Sequence, residues 1–496
     1  MNHQQEVLRL EKYLKSTARQ FTTNDAARVT GLPVLETEYA IKDLMKKYDC
    51  TLKVTNQGDM IYDFGQKLER RYKKTFAERM AAVGQSLWKG FTLFYKFMIS
   101  AILATYFVVF LILIVVVIAV AIGFLSIGDK QRGETYASIK YLVGLVLKSF
   151  ISIFQWNTIL ESSVYQKNDA HGYSYKHYEE KPSIIRSARK KLGMSVSAEK
   201  KGFVASVHDF VFGPPRVKVD PLANRQEVAS FLREKKGLIS ISEVQALAGW
   251  KREQAENFMT ECLAYFDGKA AISANGVLYG DFSELIRTKD NTGAAPVIYY
   301  WDEYEPEYEI TGNQYERDTA IKLINLFNLF VALFVLNKLG RIHFEVYDFE
   351  VNMTILGQPG LILLGWIPLI YSIIFFLIPI VRWCLLIPLQ KKQHIANIRK
   401  RLMKVIFQAR TSQIPLKKLT QAANDLKTTE EYLSSETVHE VMTDCIQDLG
   451  GEAHQDATGE TYYEFEQLNL ELNEIERLRE EKRGGSRDIG NVIFEA

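Results

Sequence analysis

A chain of 496 residues, 47% hydrophobic and 24% charged, has room for three or four domains and fits a globular protein carrying added membrane segments. Its net charge of +2 gives no global case for nucleic-acid binding. The four cysteines, Cys50, Cys262, Cys384 and Cys445, stand far apart without a CxxC pair or a histidine cluster, which argues against a disulfide framework and a zinc site.

The opening MNHQQEVLRLEKYL lacks the basic start and apolar core of a secretory signal, so the N-terminus is expected in the cytosol. Three helical patterns follow, EVLRLEKYLKSTA, TNDAARVTGL and VLETEYAIKDLMKKY, with Thr23 as an expected N-cap, and a hairpin ends at GDMIYDF, closing a unit at 1–65. Residues 66–96 read as a basic amphipathic helix. Leu68, Tyr72, Phe76, Met80, Val83, Leu87 and Phe91 share a stripe, with Arg70, Arg71, Lys73 and Lys74 among the bases around it. Such a helix lies along an anionic leaflet, each surface base adding about 1 kcal/mol, or packs against its own unit or a sister subunit.

Phe97 to Gly128 carries no charge and is long enough to cross a bilayer. Residues 97–160 are expected to form a membrane hairpin, although 140–160 places Lys148 mid-segment with Gln155 and Asn157 near its end. A lysine at bilayer centre costs about 2.5–3.5 kcal/mol, so this piece either crosses with its charge hidden, re-enters, or lies on the membrane. If it crosses, those three polar residues mark a candidate conduit. The linker 161–221 is basic, with Lys190, Lys191, Lys200 and Lys201 as lipid-facing candidates, and ends in a short helix whose Phe203, Val207, Phe210 and Val211 predict a second interfacial anchor before Gly213-Pro214-Pro215.

A second unit is read at 222–287, with Ser240 as an N-cap, and an acidic, aromatic linker at 288–318. Residues 319–390 predict another membrane hairpin, with helices near 320–339 and 360–381. A third unit follows at 395–466, then a C-terminal helix and tail at 467–496, where Leu468, Leu470, Leu472, Ile475 and Leu478 suggest helical association and NVIFEA either docks as a strand or stays disordered. Lys and Arg crowd both the stretch before the first span and the stretch after the last, which places both termini in the cytoplasm and calls for about four crossings of a membrane such as the bacterial inner membrane.

The three units align without gaps. Residues 41–64 lie over 259–282 at an offset of 218 (259 − 41) and over 442–465 at a further 183 (442 − 259). An acid recurs at Asp43, Glu261 and Asp444, GDMIYDF matches GVLYGDF and GETYYEF, and Gly31 aligns with Gly249 at the break before the third helix. The recurring acid marks a partner-facing surface or, more blandly, a helix cap or solvated face. Three helices closed by a hairpin resemble a winged helix-turn-helix domain. That resemblance implies a fold and leaves the target open, since winged helices bind DNA in some proteins and proteins in others. The third helices argue against DNA: 33–49 holds three lysines and four acids, 251–267 two bases and four acids, and 434–449 four acids with no Lys or Arg.

The whole arrangement, with its GDMIYDF hairpins and the FVFGPP stretch at 210–215, also resembles an uncharacterised group of bacterial, cyanobacterial and plastid multi-pass membrane proteins. Some plastid relatives carry an iron-sulfur assembly label, which does not transfer because such chemistry needs clustered thiolates. No GxSxG, HExxH, P-loop or strand-linked GxGxxG occurs in the chain. The expectation is therefore a mainly α, multi-pass membrane protein with three small α+β winged-helix domains, acting without enzyme chemistry or cofactor as a homo-oligomeric scaffold for a protein partner. A channel or transporter built on the Lys148 segment is the alternative, and a membrane-anchored DNA-binding regulator a third.

Overall fold

The computed structural model describes residues 2–16, 20–65, 68–72, 76–125, 202–214, 220–287, 297–302, 305, 308–339, 342–346, 349–353, 357–426, 432–457, 459–482 and 491–495. Lys148, Gln155, Asn157, Lys73, Lys74, Lys190, Lys191, Lys200 and Lys201 lie outside the described residues.

The first unit consists of α1 (His3–Ser16), β1 (Gln20–Thr22), α2 (Thr23–Thr30), α3 (Val34–Lys47), β2 (Thr51–Thr55) and β3 (Met60–Asp63). Thr22, one residue before the expected Thr23, caps α2. Its hydroxyl accepts from the Asp25 N–H at 3.2 Å, and the Asp25 carboxylate accepts from the Thr22 N–H at 3.1 Å. Gly31 stops the helix at φ 70°, in the left-handed region that glycine enters without steric cost. β1 pairs antiparallel with β3, which pairs with β2, around a core that includes Leu10, Phe21, Ile41, Leu44 and Phe64.

α4 (Phe76–Leu125) and α5 (Phe203–Phe212) precede the second unit, which repeats the order: α6 (Ala223–Glu234), β4 (Leu238–Ser240), α7 (Ile241–Ala248), α8 (Arg252–Tyr265), β5 (Lys269–Ile272) and β6 (Leu278–Asp281). Ser240 caps α7 in a box with Glu243, and Gly249 ends it at φ 69°. Then come α9 (Tyr315–Phe334), a hairpin of β7 (Ile342–Val346) and β8 (Phe349–Met353), α10 (Gln358–Leu361) and α11 (Ile367–Ala409). The third unit takes its first helix from the end of α11 and adds β9 (Gln413–Pro415), α12 (Leu416–Asp425), α13 (Ser435–Leu449), β10 (Glu452–Gln455) and β11 (Thr461–Glu464). α14 (Glu466–Glu481) and β12 (Val492–Glu495) end the chain.

Among the described residues three segments are long and apolar enough to cross a membrane: Ala82–Ile118, Tyr315–Asn337 and Gln358–Ala409. Where about four crossings were expected, three segments capable of crossing are thus described, and the ambiguous 140–160 segment lies outside the described residues. The three apolar helices pack through Leu103, Ile321, Ile324 and Phe375, with Phe110, Val331 and Val335 further along. Inside the bundle Asn325 Nδ2 donates to the Ser372 carbonyl at 3.2 Å and Asn328 Nδ2 to the Leu103 carbonyl at 3.1 Å, tying the helices by side-chain amides.

Two sequence expectations change. α5 does not present its apolar stripe to lipid: Phe203, Val204, Ser206, Val207, Asp209, Phe210 and Val211 are all buried, with Phe210 stacked on Phe375 at 5.4 Å, because α4, α9 and α11 surround it. The stretch before the first span is not a separate helix laid at an angle to it, since α4 runs unbroken from Phe76 to Leu125.

Candidate interaction surface: the seams between the units

The linker after the second unit shows how the units are held. Tyr299 stacks on Trp301 at 5.0 Å, and Trp301 meets Phe407 of α11 at 5.1 Å. Further along, the Glu305 backbone is clasped by Asn397, which accepts from its N–H at 2.9 Å and donates to its carbonyl at 2.8 Å, while Lys400 pairs with its carboxylate at 3.0 Å. Basic residues that follow the last apolar run are thereby spent on structure: Lys400 on Glu305, and Arg401 on the Ala423 carbonyl at 3.0 Å.

Between the first and second units, Arg9 donates to both carboxylate oxygens of Asp220 at 2.8 and 2.6 Å and to the Thr30 carbonyl at 2.7 Å. Burial alone would raise the Asp220 pKa, but the Arg9 bonds, the Leu222 N–H and the nearby positive charges together hold the carboxyl below its usual range. Gln226 donates to the Val29 carbonyl at 2.8 Å, and a Cβ on Gly31 would meet the Leu222 carbonyl oxygen at 2.9 Å. Arg287 reaches back to the first unit's hairpin turn, donating to Gln57 at 2.8 Å and Asp59 at 2.7 Å.

α14 forms the seam between the second and third units. Arg479 forks onto Glu243 with two 2.6 Å bonds and onto the Leu238 carbonyl at 2.6 Å, so the carboxylate that closes the α7 capping box also anchors the C-terminal helix. Glu471 accepts from the Ser242 N–H at 3.2 Å and from Arg252 at 2.6 Å, Asn275 donates to Glu474 at 2.7 Å, and Lys482 pairs with Asp281 at 3.0 Å. Asp448, at the end of α13, pairs with Arg399, while Gln245 donates to its carbonyl at 2.7 Å. Ala246 and Trp301 join the third unit's hydrophobic core, so this seam is apolar as well as ionic.

The tail closes the circuit. β12 pairs antiparallel with β2, making the first unit's sheet four-stranded in the order β1-β3-β2-β12, with the Asn56 N–H donating to the Asn491 carbonyl at 2.9 Å and Lys53 paired with Glu495 at 3.0 Å.

The candidate acids are not gathered into one site. Asp43 pairs within its own unit with His3 at 2.7 Å and Lys46 at 2.8 Å, Glu261 with Arg225 at 3.2 Å, and Asp444 is exposed on α13. Arg70 Nε donates to the Tyr48 hydroxyl at 3.3 Å and Arg71 pairs with Asp49 at 2.9 Å, which turns both toward the first unit. Sequence reasoning missed Arg9, Asp220, Glu471 and Arg479. For Glu243 a signal existed in the spacing Ser-x-x-Glu, but its partner lies over 230 residues away. Among the described residues no group of three or more His, Cys, Asp or Glu side chains is placed to hold a metal ion. Burial pushes the Cys262 and Cys445 thiols up to about 12. No family model, curated protein or solved structure matches this chain.

Proposed function

We propose that the chain is a non-enzymatic integral membrane scaffold, homo-oligomeric, whose three winged-helix units stand together in the cytoplasm and mediate protein-protein contact or self-assembly. The carrying observation is the set of seams: Arg9 on Asp220, Arg479 on Glu243 and β12 on β2 join unit one to two, two to three, and the C-terminus to one. The recurring order of helix, short strand, two helices and hairpin supports a winged helix repeated three times. Nucleic acid is not assigned as a partner, because Lys42, Lys46 and Lys47 on α3 are paired with Glu38, Asp43 and Glu11. Anionic lipid is assigned to the exposed flanking bases that are not drawn into the units, such as Arg79, Lys89, Lys391 and Lys392, in a membrane such as the bacterial inner membrane.

The seams also bear on topology. Units joined to one another stand on one side of a membrane, whereas among the described residues α4 is the one helix between units one and two long and apolar enough to cross, an odd count. The reading therefore places a fourth crossing between residues 126 and 202, with the Lys148 segment as its candidate. Light scattering on the full chain in mild detergent is expected to give a defined multiple of 56.9 kDa, and a monomer would overturn the self-assembly.

A conduit is the second reading, favoured by Asn325 Oδ1, Asn328 Oδ1 and Ser372 Oγ, buried in the bundle with no hydrogen-bond partner among the described residues. Facing π-helical turns at Val335–Leu339 and Ile362–Trp366, where a Cβ on Gly365 would lie 2.5 Å from Leu336, add an irregular outer end. Ion flux in liposomes that survives Lys148→Met unchanged removes the conduit's charged element.

A further inference from the structure

Before Tyr95, which meets Phe212 at 6.1 Å, the first part of α4 packs against no other element among the described residues. From Ala82 to Tyr95 every residue is exposed, including Leu87 at 68% and Phe91 at 59%. Phe76, Met80, Val83, Leu87, Phe91, Phe94 and Met98 follow at spacings of four, three, four, four, three and four. At 3.6 residues per turn these seven side chains fall within about 80° of arc. The spacing is an eleven-residue repeat, about 3.67 residues per turn, the period of paired helices with a right-handed supercoil. Trp88, Leu93, Tyr95 and Phe97 are exposed off this stripe and are left to lipid by such a pairing, whereas the regular eleven-residue spacing belongs to the stripe itself.

The length of the helix argues the same way. Its 50 residues extend about 75 Å, whereas a bilayer core of about 30 Å accommodates about 20 of them. The stretch from Phe76 to Lys96 precedes the uncharged run and stands in line with it, because the helix continues without a break. The membrane then sets the geometry of any pairing between copies. Two chains inserted in one bilayer stand parallel and at one depth, so Leu87 of one meets the same level of the other about an axis along the membrane normal. Gly84 and Gly90 border the stripe with nothing within 4 Å of where a Cβ would be, which leaves room for a close helix approach.

We propose that the stripe Phe76-Met80-Val83-Leu87-Phe91-Phe94 is covered by the same stripe of a second copy, as a parallel helix pair rising into the membrane. This rests on the proposed self-assembly and names the surface responsible for it. The test places a photocrosslinking phenylalanine analogue in the full chain, in native membranes, at position 87 or 91 on the stripe or at 85 or 89 on the opposite face. Chain-to-chain adducts are expected from 87 and 91, with 85 and 89 at background. Adducts from both faces alike, or lipid adducts alone from 87 and 91, overturn the pairing. Leu87→Glu combined with Phe91→Glu is expected to shift the detergent-solubilised multimer to a smaller mass while amide protection in the unit cores is retained, and an unchanged mass overturns the pairing. A wild-type monomer removes scaffold assembly and pairing together; a wild-type multimer without stripe adducts removes the pairing alone.

Discussion

Arg479 and Glu243 show how much one pair can hold in this molecule. Both side chains are nearly buried, and the guanidinium forks onto the carboxylate and the Leu238 carbonyl together. Truncating it strands a buried carboxylate, so Arg479→Ala is expected to cost about 3–5 kcal/mol locally, read as faster hydrogen exchange in α14 and β4. Arg479→Lys is expected to rescue little, since a single ammonium cannot reproduce the fork; near-wild-type exchange in the alanine variant would show that the seam is held elsewhere. The thiols give a second residue-scale expectation. Because burial keeps Cys262 and Cys445 protonated up to about pH 12, alkylating reagents at pH 8 are expected to leave both unmodified until the chain is denatured, as peptide mass spectrometry will report.

At the scale of elements, what the sequence carried was periodic and local. GDMIYDF, GVLYGDF and GETYYEF mark hairpins because a glycine at positive φ turns each one, at Gly58, Gly276 and Gly459. The third helices were equally plain from their apolar spacing. Three short strands, Gln20–Thr22, Leu238–Ser240 and Gln413–Pro415, were not legible, since three residues carry no usable alternation and each exists only through pairing with a distant hairpin strand. The seams were hidden for a similar reason: nothing near Arg9 announces Asp220. The tail's two alternatives resolve into a strand, although Val492, Ile493 and Phe494 stay exposed, so backbone bonds and the Lys53 pair hold it more than burial does. Edge bonds of about 0.5–1.5 kcal/mol each imply that deleting 491–496 will speed exchange at Asn56 and along β2 while leaving the unit core protected. Unchanged exchange at Asn56 would mean that the tail does not dock there.

For the whole molecule, acid and membrane topology test whether the joined units behave as one body. Burial would raise the Glu11 pKa, yet bonds from Lys15, Lys47 and Tyr48 bring it down to about 2, and Asp220 and Asp281 are lowered in the same sense by Arg9 and by Ser283 and Lys482. A carboxylate depressed in the fold adds stability that is present above its unfolded value near 4 and lost as pH falls through the folded one. The first unit, which holds Glu11 and its three partners, is therefore expected to lose stability between about pH 4 and 2, and the seams at Asp220 and Asp281 to loosen as pH falls below about 4, seen as protease access to the linkers; linkers that stay protected in acid would show that these two acids do not govern the seams. Sidedness is the sharper test, because one crossing more or fewer decides it. Single cysteines at Gln4, Asn257 and Tyr432, one exposed position in each unit, avoid the seams that occupy Asn56 and Asn275. With Cys50 and Cys384 replaced by alanine, all three reporters are expected to react with an impermeant maleimide in inverted membranes and to be silent in intact cells. That outcome requires the chain to return across the bilayer between α4 and α5. If Gln4 instead reacts only from the opposite face, Arg9 cannot reach Asp220 in the membrane, β12 cannot reach β2, and units two and three alone remain to form the scaffold.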